Sequence, residues 1–230
     1  MTGLLVVATV NENVDGLGGG GAVYGDPIEV ILQPDGTAGL DTFLDSNNPT
    51  TNSGTSNIVY VGSVGGGTKQ RTWIEFDVSS IPANALIDDA ILSLWEDSAS
   101  DTAGVGDHDV NVHRVLKNVV EAQATWNIYS TGNNWTTAGC GAADDDRVSA
   151  ISASLTMDAT AAANFVSWTG AGLVADVQGW VNGTLNNYGW LLESPTAEVP
   201  TNACYNRFQT SDHVTASHRP KLTVTYREPA

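Results

Sequence analysis

The 230-residue chain carries 26 acidic against 9 basic residues, a net charge of −17, and its first basic residue is Lys69. A phosphate-reading surface needs a basic footprint, so a nucleic-acid binder is excluded. Hydrophobic residues make up 41% and glycine 24 positions, which suits a packed core with frequent turns, and no apolar run is long enough for a membrane helix.

Residues 1–40 read as a section of their own. Residues 2–10 are strand-like, 11–21 form a connector containing GLGGGG, and IEVIL at 28–32 is a second short strand. A glycine-rich connector has little order alone. The section is therefore expected to be an arm that gains structure against a neighbouring subunit, with a frayed terminus as the other reading. No positive charge precedes the apolar run 4–10, so it does not read as a signal peptide. The glycine run lacks the lysine and hydroxyl residue of a phosphate loop.

DTFLDSNNPTTNSG at 41–54 reads as a strand and a loop of turn formers, and IVYV at 58–61 as a short strand. The organising stretch is 69–96. Thr72, Ile74, Phe76 and Val78 share one face, with Arg71, Trp73, Glu75 and Asp77 on the other. Pro82 breaks the ladder. A second strand then turns Ala90, Leu92 and Leu94 inward and Ser93 and Trp95 outward. Two half-buried strands joined by a long crossing segment suit a sandwich. DVNVHRV at 109–115 alternates again and places His113 on the surface. Residues 121–128 read as a short helical turn, and 130–146 as the longest irregular region. Leu173, Val174, Val177, Trp180 and Val181 at helical spacing predict a helix over 173–181, ended by Gly183. Strands at 188–192, 205–209 and 222–226 follow. The sum is eight to eleven strands: an all-β, jelly-roll-like β-sandwich of two antiparallel sheets with one short helix and an N-terminal arm. Residues 1–40 are the arm and 41–230 the sandwich.

FDVSSIPANALIDDAILSL at 76–94 resembles the hallmark segment of DNRLRE-type domains. Residues 41–54, Thr125-Trp126-Asn127, Asn134-Trp135-Thr136-Thr137, 174–194 and RPKLTVTY at 219–226 resemble further parts of that family, in order, over residues 40–228. The resemblance implies a non-catalytic, carbohydrate-binding-module-like β-sandwich.

Sugars stack on aromatic platforms while polar neighbours orient their hydroxyls. Trp126, Tyr129 and Trp135, with Asn127, Asn133 and Asn134, form the candidate platform around the long loop; the competing reading has the tryptophans plugging the sandwich. Asp97, Asp101, Asp107 and Asp109 flank one loop and are the candidate calcium ligands, against a reading as solvated turns; Asp144, Asp145 and Asp146 form a second cluster, and neither fits an EF-hand. Cys140 and Cys204 are either a disulfide or two free thiols, and no zinc spacing surrounds them. No GxSxG or HExxH signature occurs, and His108, His113, His213 and His218 all fall in loops or on exposed faces. The chain is expected not to be an enzyme and to require no cofactor, with calcium as the candidate ion.

Two functional expectations follow. The first is a structural subunit of a virion, of capsid-decoration or fibre type. It would display the sandwich to glycans and assemble with copies of itself or neighbouring subunits through residues 1–40, outside cells, without a signal peptide or membrane insertion. The second is a secreted carbohydrate-binding module of a polysaccharide-processing enzyme.

Overall fold

The computed structural model describes residues 6–7, 23–37, 39–158, 160, 163–199 and 201–230. In chain order its strands are β1 (Val6–Val7), β2 (Ile28–Leu32), β3 (Leu40–Asp45), β4 (Ile58–Ser63), β5 (Gln70–Glu75), β6 (Leu86–Asp101) and β7 (His108–Arg114). The hairpin β8 (Ile128–Ser130) and β9 (Asn133–Asn134) follows, then β10 (Ala153–Met157) and β11 (Asn164–Thr169). Helix α1 (Ala171–Val181) precedes β12 (Trp190–Glu193), β13 (Cys204–Gln209) and β14 (Lys221–Arg227). The fold is all-β and sandwich-like, with one α-helix among the described residues.

Strand β6 is the spine. Its 16 residues contain neither glycine nor proline, and it runs on through the bulges at which its ladders with β13 and β14 shift register. Strand β14 pairs with Leu86 through Ser93 and β13 takes over from Glu96 to Asp101, both antiparallel, while β11 lies along the opposite edge from Ile91 to Glu96. β14 continues to β2 and β1, and β13 to β4. The facing layer runs β3–β5–β12–β7–β10. A single pairing, Gly62 with Gln70, joins β4 to β5. The expected two sheets are thus one sheet curled on itself.

Between the layers, Leu92 and Leu94 of β6, Phe208 of β13 and Leu222 and Val224 of β14 share a core with Ile74, Val110, Val112, Trp190 and Leu192. Trp168 of β11 crosses it, donating its indole N–H to the Val110 carbonyl at 2.9 Å. Helix α1 buries Leu173, Val177, Trp180 and Val181, and Gly183 follows its end at φ 66, where a side chain would be strained. Asp176 of α1 accepts hydrogen bonds from Arg114 Nε (3.0 Å), Ser152 Oγ (2.6 Å) and Trp190 Nε1 (2.9 Å). That carboxylate explains why Arg114 can end the inward row of β7.

Several expectations change. Strand β2 is hydrogen-bonded to β14, so residues 28–32 belong to the sheet rather than to an arm. Most of the 2–10 strand and all of the 11–21 connector lie outside the described residues. Strands β10 and β11 were not legible in their mixed sequence, whereas the short helical turn expected at 121–128 is present at its start, where Ala124 donates to the Val120 carbonyl at 2.8 Å, and gives way to β8 at Ile128. Trp73 is fully buried, not outward. Period-two alternation assigns side chains to faces but says nothing of what covers a face. Here the connection between β7 and β10 folds over the outside of β3–β5–β12. Leu44, Trp73 and Leu191 from the strands pack there with Val119, Ala124, Trp135 and Cys140 in a second core.

Candidate functional site

The aromatic residues singled out around the long loop do meet, but they hold the loop down. Trp135 is 4% exposed. Its indole N–H donates to the Thr125 carbonyl at 3.0 Å, and its ring lies 5.4 Å from that of Tyr129. Trp126 is half-buried, with the Arg71 guanidinium 5.6 Å above its ring. A side chain on Gly139, at φ 76, would collide with that ring. Asn127, Asn133 and Asn134 remain exposed. The loop is shaped by Asp146, which is fully buried and accepts the N–H groups of Thr136, Thr137 and Ala142 at 2.9, 2.9 and 3.0 Å. The plug reading of Trp135 is the one the packing supports.

Beneath this loop lies a charge cluster the sequence reading missed. Arg71 donates to both Glu198 oxygens at 2.8 Å and to the Gly139 carbonyl at 2.9 Å. Glu193 accepts from Arg147 at 2.6 Å and lies 3.4 Å from both Arg71 Nε and His113 Nε2. His113, expected on the surface, is 3% exposed. Its Nδ1 lies 3.0 Å from the Val148 carbonyl, so that nitrogen carries the proton. Burial, reinforced by the nearby Arg147, holds its pKa below the ordinary histidine range. Two guanidiniums therefore face two carboxylates around a neutral imidazole. The cluster clamps the loop and presents no carboxylate to solvent. The only sequence signal was Glu193 at the end of the apolar run WLLE.

The four candidate calcium aspartates do not converge. Asp97 accepts from Arg207 Nε at 2.8 Å and Gln209 Nε2 at 3.2 Å. Asp101 accepts the Val105 and Gly106 N–H groups at 3.0 and 2.8 Å, which hold its carboxyl below the usual range. Asp109 takes the Thr156 hydroxyl at 2.7 Å, and Asp107 is exposed. Asp97 and Asp109 are held by neighbouring strands and Asp101 by its own turn, and among the described residues no three histidine, cysteine or acidic side chains are grouped to hold a metal ion. Nor are the cysteines bonded. Cys140 is buried under the loop with its Sγ 3.7 Å from the Asp146 carbonyl, and Cys204 is buried on β13, 3.8 Å from His108 Nδ1. They sit in different structural neighbourhoods, and burial raises both thiols, Cys204 to about 11.

Unlike the loop-covered side, the outside of the β6 layer carries half-exposed rings. Trp95 stacks on His218, with ring centres 3.7 Å apart at 7°, and meets Phe165 edge-on at 5.3 Å. Lys221 Nζ sits 4.1 Å over the Phe165 ring. His218 Nδ1 lies 3.0 Å from Gln209 Oε1, and the Gln209 amide donates in turn to Asp97. Arg219 donates to the His213 carbonyl at 3.0 Å, and the His213 ring lies 6.0 Å from that of His218. Six of the nine cationic side chains, at 71, 114, 117, 147, 207 and 227, have a carboxylate partner. Among the described residues Lys69, Arg219 and Lys221 have none within ion-pair distance, although Arg219 lies close enough to Asp212 to counter the burial that raises its carboxyl. Lys221 reaches this ring group through Phe165, which meets Trp95, and Arg219 follows His218 in sequence. On a chain of net charge −17, Lys221 thus sets a positive charge with no carboxylate at ion-pair distance, among the described residues, against aromatic surface.

The family model of the disaggregatase related repeat domain matches residues 41–224. This is nearly the stretch over which the sequence resembles DNRLRE-type domains, and the match does not bear on that likeness. Among curated proteins no match was found.

Proposed function

We propose a non-catalytic binding role for this chain, which belongs to the disaggregatase related repeat domain family: a surface-displayed module that holds a polysaccharide bearing carboxylate or sulfate groups. The ligand lies on the outside of β11–β6–β14. Trp95, Phe165 and His218 supply apolar ring surface for sugar C–H groups, and Lys221 and Arg219 supply cations for the acidic substituents. The observation that carries this reading is the pairing of half-exposed aromatic rings with Lys221, which among the described residues has no carboxylate within ion-pair distance. A ligand carboxylate would meet the Lys221 charge without first breaking an internal ion pair, while Arg219 would be shared with Asp212. The buried acids Glu193 and Glu198, by contrast, are tied to arginines under the loop and serve as a clamp rather than as acid and base. The particle-subunit expectation rested on residues 1–40, most of which lie outside the described residues.

The test is binding to polygalacturonate and to a neutral glucan, by calorimetry at low and high salt. The expected result is a preference for the polyanion that weakens with salt. Trp95→Ala should lower the affinity by about tenfold and Lys221→Gln by several-fold, both without loss of the fold. Binding untouched by either substitution would place the ligand elsewhere.

A further inference from the structure

A second ring cluster lies farther along the same open face. Tyr60 of β4 meets Tyr205 of β13 edge-on at 5.4 Å, both half-exposed, and at 5.6 Å the edge of Phe43, a partly buried residue of β3 in the facing layer that packs against the core. Val59, Val61 and Phe208 point into the core. Their neighbours Tyr60 and Arg207, which face each other across β4 and β13, therefore point outward, to the same side as Trp95. Arg207 is in turn opposite Ser98 of β6, beyond a bulge. The two clusters are thus two strand spacings and three residues apart, about 14 Å. The ground between them is polar and fixed: Arg207 donates to Asp97, which also takes the Gln209 amide, and Gln209 meets His218. The hydrogen bond to Asp97, with a smaller one to Tyr60, raises the Arg207 guanidinium above its ordinary pKa.

We infer that the two clusters are separate sugar-stacking positions of one site, spanned by the interior of an extended chain. The inference rests on the preceding reading of the face and narrows its ligand to a run of several sugars rather than a chain end. One pyranose cannot touch Trp95 and Tyr60 together. A chain that crosses from one to the other passes over Arg207, Asp97 and Gln209, whose donors and acceptors are already oriented by one another and need no rearrangement to meet hydroxyl groups.

The experiment is calorimetric titration with oligogalacturonides from the disaccharide to the octasaccharide. The octasaccharide should bind about tenfold or more tighter than the disaccharide, because the second contact becomes intramolecular once the chain can span. Tyr60→Ala should bring octasaccharide affinity down to the disaccharide level, and Trp95→Ala should weaken every length. Tyr60→Leu, which keeps bulk without a ring face, serves the same purpose should the alanine variant fold poorly. Equal affinity at all lengths, lost in Trp95→Ala, would overturn the spanning inference and leave the face reading standing. Binding of no member of the series would overturn both.

Discussion

Trp135 and Trp95 look alike in sequence, each a tryptophan among polar neighbours, yet packing gives them opposite roles. Trp135→Ala removes a ring that is 4% exposed and leaves a cavity under the loop. It should cost about 3–5 kcal/mol in a denaturant titration. It should leave saccharide affinity unchanged wherever the variant is folded, and a selective loss of affinity at wild-type stability would reverse the assignment. Asp41 makes a pH-dependent contribution. It is 2% exposed; Oδ2 accepts the Ser211 N–H at 2.8 Å while Oδ1 has no partner. Burial raises its carboxyl from 3.8 to about 7, with Glu121 and Asp212 adding repulsion. The folded state therefore holds the proton more tightly than the unfolded one. That stabilisation is fully present below pH 3.8 and is lost as pH rises through about 7. Asp41→Asn should flatten part of the fall in denaturation midpoint over that window, with Glu75, raised by burial to about 7, and Glu121 and Asp212, also raised, leaving a residual slope. Parallel curves for the two proteins would rule Asp41 out as the source.

For the individual elements, the loop between β7 and β10 depends on the charge clamp. Glu193→Gln removes the negative charge from between Arg71 and Arg147 and leaves Arg147 without the carboxylate it meets at 2.6 Å. Breaking a buried pair from one side costs about 3–5 kcal/mol, and the same variant should expose residues 130–146 to limited proteolysis before the rest unfolds. Unchanged stability would mean that water reaches the site and solvates Arg147. The strands of strong alternation were legible in sequence: 28–32 coincides with β2, and Ala90, Leu92 and Leu94 face inward as expected. The helix was legible too, because Leu173, Val177, Trp180 and Val181 recur at its period and Gly183 closes it. Strand β11 was missed because only Phe165, Val166 and Trp168 interrupt its polar residues. The loop that buries Trp73 could not be foreseen from the strand itself. Its anchors, Trp135 and Cys140, are about 60 residues away in sequence, and long-range closure leaves no local period.

For the whole molecule, the curled sheet has one outer side sealed by a loop and another left with half-exposed rings and Lys221, which has no carboxylate at ion-pair distance among the described residues. Trp95 was read correctly as outward, but its value as a site came from His218, Phe165 and Lys221, which the fold gathers from β11, from the turn before β14 and from β14 itself. Sequence alone drew attention to the loop tryptophans because they cluster locally. The cysteines give a check on the same architecture: a thiol-reactive dye should label neither Cys140 nor Cys204 in the folded protein and both after denaturation, without reductant. Failure to label the denatured chain would indicate a disulfide. The central claim, that the outer side of β11–β6–β14 is the ligand surface, is tested most directly by following the tryptophan indole N–H signals in an NMR titration with oligogalacturonide. The account requires the Trp95 signal to shift while those of Trp126 and Trp135 stay in place. Movement of Trp126 and Trp135 with Trp95 unmoved would contradict it and return the site to the long loop.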